Sequence, residues 1–178
     1  MNIAILGGGT WGVALAKLLS ENGHCVRVWS ALPKEIETLS KTHTHPNLPG
    51  VALPRAIQFT TNMERAMTDA AYVVFAVASA YVRETAAAAA AYLPNDAIVI
   101  DVAKGLERGT QRTMTQVIAE VLAAAGKKVT GRLVALSGPT HAEEVARNIP
   151  TSIVSACADE ETARAAAQLF MNSCMRVY

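Results

Sequence analysis

Three short segments carry groups suited to an anionic ligand and a polarisable carbonyl. The first is Gly7-Gly8-Gly9-Thr10-Trp11-Gly12, which fits G-x-G-x-x-G with glycines at 7, 9 and 12. In that spacing the first glycine permits a tight turn and the second lets the backbone approach a pyrophosphate. The third allows close helix–strand packing. The helix that follows offers unpaired N–H groups and the positive end of its dipole. Alone the motif is weak. Here it follows the apolar run Ile3-Ala4-Ile5-Leu6 and opens an alanine- and leucine-rich stretch, which predicts a dinucleotide cradle.

The second segment, Ile98-Val99-Ile100-Asp101-Val102-Ala103-Lys104-Gly105-Leu106-Glu107, puts a lysine just past an apolar run. The third, Leu136-Ser137-Gly138-Pro139-Thr140-His141-Ala142-Glu143-Glu144-Val145, puts a small-residue turn before a helical pattern. Both turns fall at the carboxyl ends of expected strands, the usual ligand edge of an open α/β sheet. Pro139 suits the edge of a helix N-terminus, and Thr140 offers both a cap and a ligand hydroxyl.

Cofactor choice is read at the end of the second strand, where an acid usually binds the adenosine ribose of NAD. The segment there is Trp29-Ser30-Ala31-Leu32-Pro33-Lys34-Glu35, with no carboxylate at the strand end and so nothing to repel a 2′-phosphate. Ser30 could hydrogen-bond either ribose form. Lys34 could reach a phosphate, although a solvated helix start is its plainer reading. The expectation is NAD or NADP, with the preference open.

The elements that must hold these segments are legible from hydrophobic periodicity. Strands are expected at about residues 3–6, 25–29, 72–77, 97–102, 133–137 and 152–156. Helices are expected at about 10–22, 80–92, 111–125, 140–147 and 160–171. Gly23 stands where a left-handed residue would end the first helix, and Met63 and Met67 read as one buried helical stripe. Residues 42–54, with three prolines and a glycine, favour an ordered loop. Continuously apolar strands alternating with helices predict an α/β fold: a Rossmann-like, doubly wound, mostly parallel sheet with helices on both faces.

Composition agrees with one compact domain: 178 residues, 51% hydrophobic and 17% charged, a balance incompatible with disorder. The net charge of +1 gives no footprint for nucleic acid or for an anionic membrane. The start at Met1 lacks a basic leader, and the longest nearly uncharged run falls short of a membrane span, so a soluble cytoplasmic protein is expected. Cys25, Cys157 and Cys174 are an odd number at no metal-like spacing and read as buried thiols in a reducing compartment. His43 and His45 lack further ligands at usable spacing and read as a loop pair, with no metal expected. His24 reads as structural, and Glu143 and Glu144 as helix-start charges that complement the dipole.

Together the segments resemble the bacterial-type NAD(P)-dependent glycerol-3-phosphate dehydrogenases. The similarity runs from Gly7 to Ala16 through Ala103-Lys104-Gly105-Leu106-Glu107 to Ser137-Gly138-Pro139-Thr140. It continues through Ala142 to Ala146 and Pro150-Thr151, and ends with Arg176-Val177-Tyr178. The resemblance implies hydride transfer between sn-glycerol 3-phosphate and dihydroxyacetone phosphate, supplying glycerophospholipids. It implies that Thr10, Trp11 and Ala142 line the cofactor, and that Lys104 touches cofactor and substrate as the catalytic cation. Gly138 and Thr140 would lie against the substrate. A lysine there can polarise a carbonyl as negative charge develops on its oxygen.

Some positions depart from the pattern. Ala31 stands where the family often has a basic or aromatic side chain over the adenosine end. Ala78-Ser79 replaces a commoner proline-serine pair, His141 a usual aromatic, and Gly8 an alanine. Family members also carry a second, all-helical domain with the acid/base lysine and the phosphate-holding groups, and they dimerise. Residues 1–178 are therefore expected to be the cofactor domain of a longer, homodimeric protein, able to bind cofactor with negligible turnover. Two other readings stay open: another two-domain dehydrogenase acting on hydroxy acids, and a non-enzymatic dinucleotide-binding module.

Overall fold

The computed structural model describes residues 1–178. The chain forms β1 (Asn2–Leu6), α1 (Thr10–Glu21), β2 (Cys25–Trp29), α2 (Pro33–Thr42), β3 (Gln58–Thr60), α3 (Met63–Met67) and β4 (Tyr72–Phe75). A 3-10 turn at Ser79–Tyr81 leads into α4 (Val82–Ala90). Then follow β5 (Ile98–Asp101), α5 (Met114–Ala124), β6 (Leu133–Ser137), α6 (Ala142–Ala146), β7 (Thr151–Ala156), α7 (Glu160–Phe170) and β8 (Met175–Val177).

The strands form one sheet in the order β3-β2-β1-β4-β5-β6-β7-β8. Pairing is parallel from β3 through to β6; β7 runs antiparallel to β6, and β8 parallel to β7. The expected doubly wound, mostly parallel architecture is present. Chain order reverses at β1, which has β2 on one side and β4 on the other. Ligand crevices of open α/β sheets form at such a reversal, outside the carboxyl ends.

β1 shows why the pattern is continuously apolar. Ile3 and Ile5 face α1, α6 and α7 on one side; Ala4 and Leu6 face α3, α4 and α5 on the other. Both faces are covered, so Ile3 to Leu6 leave no position for a polar side chain, and only Asn2 at the strand's start is polar. Each large aliphatic side chain so buried contributes about 1.5–3 kcal/mol. Register keeps the strand ends level: Leu6 pairs with Phe75, and Phe75 with Asp101. The loops after β1, β4 and β5 therefore leave the sheet side by side.

Several expectations need correction. The cysteines are free but not buried: Cys25 is exposed, and Cys157 and Cys174 are partly exposed. The helix expected from residue 140 is only α6, with His141 rather than Thr140 at its N-cap. The sequence reading also passed over β3 and β8, and touched α2 only as a helix start at Lys34. Gly23 does take positive φ (+85°) after α1, and Met63 and Met67 are buried. The loop between α2 and β3 is ordered as expected: Leu48, Val51 and Leu53 are buried, and Leu53 N–H donates to the His43 carbonyl at 2.8 Å. No helix is long and apolar enough to cross a membrane.

Candidate functional site

The glycine turn divides its three glycines between two duties. Gly7 has φ +136°, and a methyl group built on it would stand 2.5 Å from the Ala76 carbonyl oxygen. One built on Gly12 would stand 2.1 Å from the Gly7 carbonyl oxygen. Both are glycines because β1, α1 and the end of β4 approach so closely. Gly9 differs, with an ordinary φ of −68° and nothing within 4 Å of a built methyl. Neither conformation nor packing requires a glycine there, and the space beside it is open.

Gly9 is also the N-cap of α1, with no side-chain cap and no acid in the first turn. The N–H groups and positive dipole end of a twelve-residue helix thus have no side-chain acceptor of their own, an arrangement able to hold an anion. Beside them the indole Nε1 of Trp11 is buried without a hydrogen-bond partner. Thr10 Oγ1 accepts from Asn47 Nδ2 at 3.0 Å, which ties the loop after α2 to the rim.

These groups line an open cleft of about 560 Å³ at the reversal point. Its walls are Gly9 to Trp11, Ala76 to Ser79, Val102 to Lys104, and Thr140 to Ala142. Of the residues predicted from sequence, Gly9, Thr10, Trp11, Lys104, Thr140 and Ala142 meet in this one space. Gly7 and Gly12 lie beneath it, and Gly138 joins through Lys104. Ser30 and Ala31 lie apart from the lining, at the end of β2. Ser30 is buried, with Oγ accepting the Leu32 N–H at 3.1 Å, whereas Ala31 is exposed. Ala76, Val77 and Val102 also belong to the lining and were missed, their one signal being a position just past a strand end; His141, noted only as a replacement for an aromatic, lines it too.

Lys104 reaches across from β5 to β6. Its Nζ donates to the carbonyls of Gly138 and Thr140, each at 3.2 Å, and lies 3.3 Å from Thr140 Oγ1. That hydroxyl donates in turn to the Gly138 carbonyl at 3.4 Å. The ammonium has three donors and three protein acceptors, so its place at the cleft wall is fixed.

The loop carrying Lys104 is secured at both ends. At its base Asp101 is buried, its Oδ1 accepting the Ala103 N–H at 3.0 Å, and burial pushes its carboxyl up to about 6. At the far end Arg83 of α4 grips Glu107 with Nε at 2.7 Å and Nη2 at 2.9 Å, and Thr110 Oγ1 adds a bond of 2.6 Å. These bonds, Arg83 foremost, hold the Glu107 carboxyl down at about 2. Arg83 and Arg112 both also pair with Glu120 of α5.

A carboxylate does stand near the end of β2, contrary to the sequence reading. Glu35, in the first turn of α2, folds back to the glycine turn. A methyl built on Gly8 would lie 2.6 Å from its Oε2 and 3.2 Å from Ser30 Cβ. Nearby His45 is buried, its Nδ1 accepting the Asn47 N–H at 3.1 Å. Burial lowers its pKa, against the opposing charge of Glu35.

Residues 2–163 match the family model described as NAD-dependent glycerol-3-phosphate dehydrogenase N-terminus. The chain is 51% identical over 176 residues to a glycerol-3-phosphate dehydrogenase [NAD(P)+] of Lactobacillus delbrueckii subsp. bulgaricus, covering 99% of this chain and 52% of that relative. It is 42% identical over 177 residues to the enzyme of that name from Pelotomaculum thermopropionicum, covering 99% and 50%. The crystal structure of glycerol-3-phosphate dehydrogenase from Coxiella burnetii superposes with a TM-score of 0.88 at 26% identity, over 99% of this chain and 52% of that one. The chain thus spans about half the length of the curated relatives it matches. With its glycine turn, its fixed lysine and this match over most of its length, the chain belongs to the family of NAD-dependent glycerol-3-phosphate dehydrogenase N-terminal domains.

Proposed function

We propose that residues 1–178 are the cofactor-binding domain of an NAD(P)-dependent dehydrogenase that interconverts sn-glycerol 3-phosphate and dihydroxyacetone phosphate, on the route to glycerophospholipids. The observation that carries this reading is the juxtaposition of the open, uncapped Gly9 end of α1 with the immobilised ammonium of Lys104. When bound, the dinucleotide supplies a hydride donor or acceptor at its nicotinamide.

The residues of the chain have separate roles. Gly9 and the first N–H groups of α1 hold the pyrophosphate. Thr10, Trp11 and Ala142 shape the wall for the cofactor. Lys104, Gly138 and Thr140 meet the substrate, with the lysine charge favouring negative charge on the carbonyl oxygen during hydride transfer. General acid–base chemistry typically contributes 10²–10⁴-fold. We assign that step to a second, helical domain of the longer protein, so this chain binds cofactor but turns over negligibly.

Calorimetric titration with NADH and NADPH, repeated on Gly9→Asp, tests the reading. Saturable binding that the variant loses supports it. Failure of the native chain to bind either dinucleotide overturns it.

A further inference from the structure

We infer that Glu35 is a specificity-determining residue that makes this site favour NAD over NADP, its carboxylate receiving the adenosine ribose hydroxyls and repelling a 2′-phosphate. The inference rests on the cofactor reading above and goes beyond it by choosing between the two dinucleotides.

Three observations carry it. The first is position. Oε2 of Glu35 lies against Gly8 and beside Ser30, where the glycine turn meets the end of β2. In doubly wound sheets an acid at that junction faces the ribose. Glu35 reaches it from α2, five residues beyond Ser30, which is why the strand end itself looks empty of charge.

The second is the state of the carboxylate. None of the six ion pairs in the molecule involves Glu35, and no protein donor hydrogen-bonds it. By contrast Glu37, two residues on, pairs with Lys41 at 2.6 Å on an exposed face. A partnerless carboxylate keeps both its oxygens free to accept from a ligand. The neighbouring imidazole is no standing counter-ion, since burial favours the neutral form of His45.

The third is what lines the approach. Ser30, Ala31 and Leu32 are uncharged, so nothing at the strand end clamps a phosphate. Lys34 is exposed in the first turn of α2, and its ammonium makes no hydrogen bond or ion pair to Glu35 or to any other protein group. A 2′-phosphate would therefore meet a carboxylate with no paired cation beside it. Like charges at such a distance are a strong device against the wrong ligand.

Glu35 also complements the dipole of α2, and that role alone would alter stability without altering the choice of dinucleotide. The test separates the two. NADH and NADPH affinities are measured by fluorescence titration on the native 178-residue chain, which encloses its own core, and on Glu35→Gln, Glu35→Ala and Glu37→Gln. The expected result is about tenfold or more in favour of NADH for the native chain and for Glu37→Gln. Both Glu35 variants should fall to within about twofold, chiefly because NADPH binds more tightly. Equal native affinities, or a ratio unmoved by both Glu35 variants, overturn the proposal while leaving the cofactor reading intact. Binding of neither dinucleotide by the native chain overturns both.

Discussion

Lys104 and Thr140 are joined at two points: the ammonium donates to the threonine carbonyl at 3.2 Å and approaches its hydroxyl at 3.3 Å. The lysine belongs to the loop after β5 and the threonine to the loop after β6. This pair ties together two walls of the cleft that share no backbone hydrogen bond at that level. Replacing Lys104 by Met should lower stability only modestly, by about 0.5–1.5 kcal/mol, because the lysine is exposed. It should also raise amide exchange across residues 138–142. Denaturant titration and hydrogen exchange measure the two effects, and an unchanged exchange pattern would refute the tie.

The glycine turn should respond in opposite ways at two of its positions. Gly12→Ala drives a methyl against the Gly7 carbonyl and should cost about 1–3 kcal/mol in a melting experiment. Gly9→Ala meets no protein atom and should leave the melting temperature nearly unchanged while weakening dinucleotide binding.

Asp101 gives the fold a pH dependence of unusual sign. Its carboxyl titrates near 6 when folded against an ordinary value of 3.8, so the folded chain holds the proton more tightly. That contribution, about 3 kcal/mol at most, is complete below about pH 4 and lost as pH rises through 6. Asp101→Asn keeps an acceptor for the Ala103 N–H and cannot ionise. Stability of the variant should be higher at pH 7.5 and flatter between pH 4 and 6 than that of the native chain. Urea melts at several pH values check this.

Glu107 has the opposite sign. Its carboxyl is held down at about 2 by Arg83 and Thr110, so its stabilising effect is present above the ordinary 4.5 and lost as pH falls toward 2. Glu107→Gln should loosen the loop that carries Lys104. Faster amide exchange at residues 104–112, with β1 and β4 unaffected, is the expected signature.

The parallel core and most of the cleft were legible because their signals are local and redundant. A two-faced strand such as β1 leaves an unbroken apolar run, and a tight turn packed between strand and helix leaves glycines at fixed spacing. The short edge strands β3 and β8 leave no such trace, being three residues each. In α2 only Ile36 and Leu39 are buried, so its pattern is faint. Thr140 shows a different limit. Its residue type suits a helix cap, yet a tertiary contact with Lys104 and a local bond to the Gly138 carbonyl claim the hydroxyl instead. Glu35 was misjudged because distance along the chain hid a fold-back that only α2 makes visible.

The uncapped start of α1 also bears on how long the protein lasts inside a cell. A helix end that lacks a protein acceptor holds only water until an anion arrives, so occupancy and folding free energy rise together. Stabilisation grows as RT ln(1 + [L]/Kd), reaching about 2.7 kcal/mol at a hundredfold excess over Kd. The population open to proteases would then fall by about a hundredfold. Abundance of the chain would follow the local supply of its dinucleotide, and a purified, ligand-free sample would be the most fragile form of the molecule.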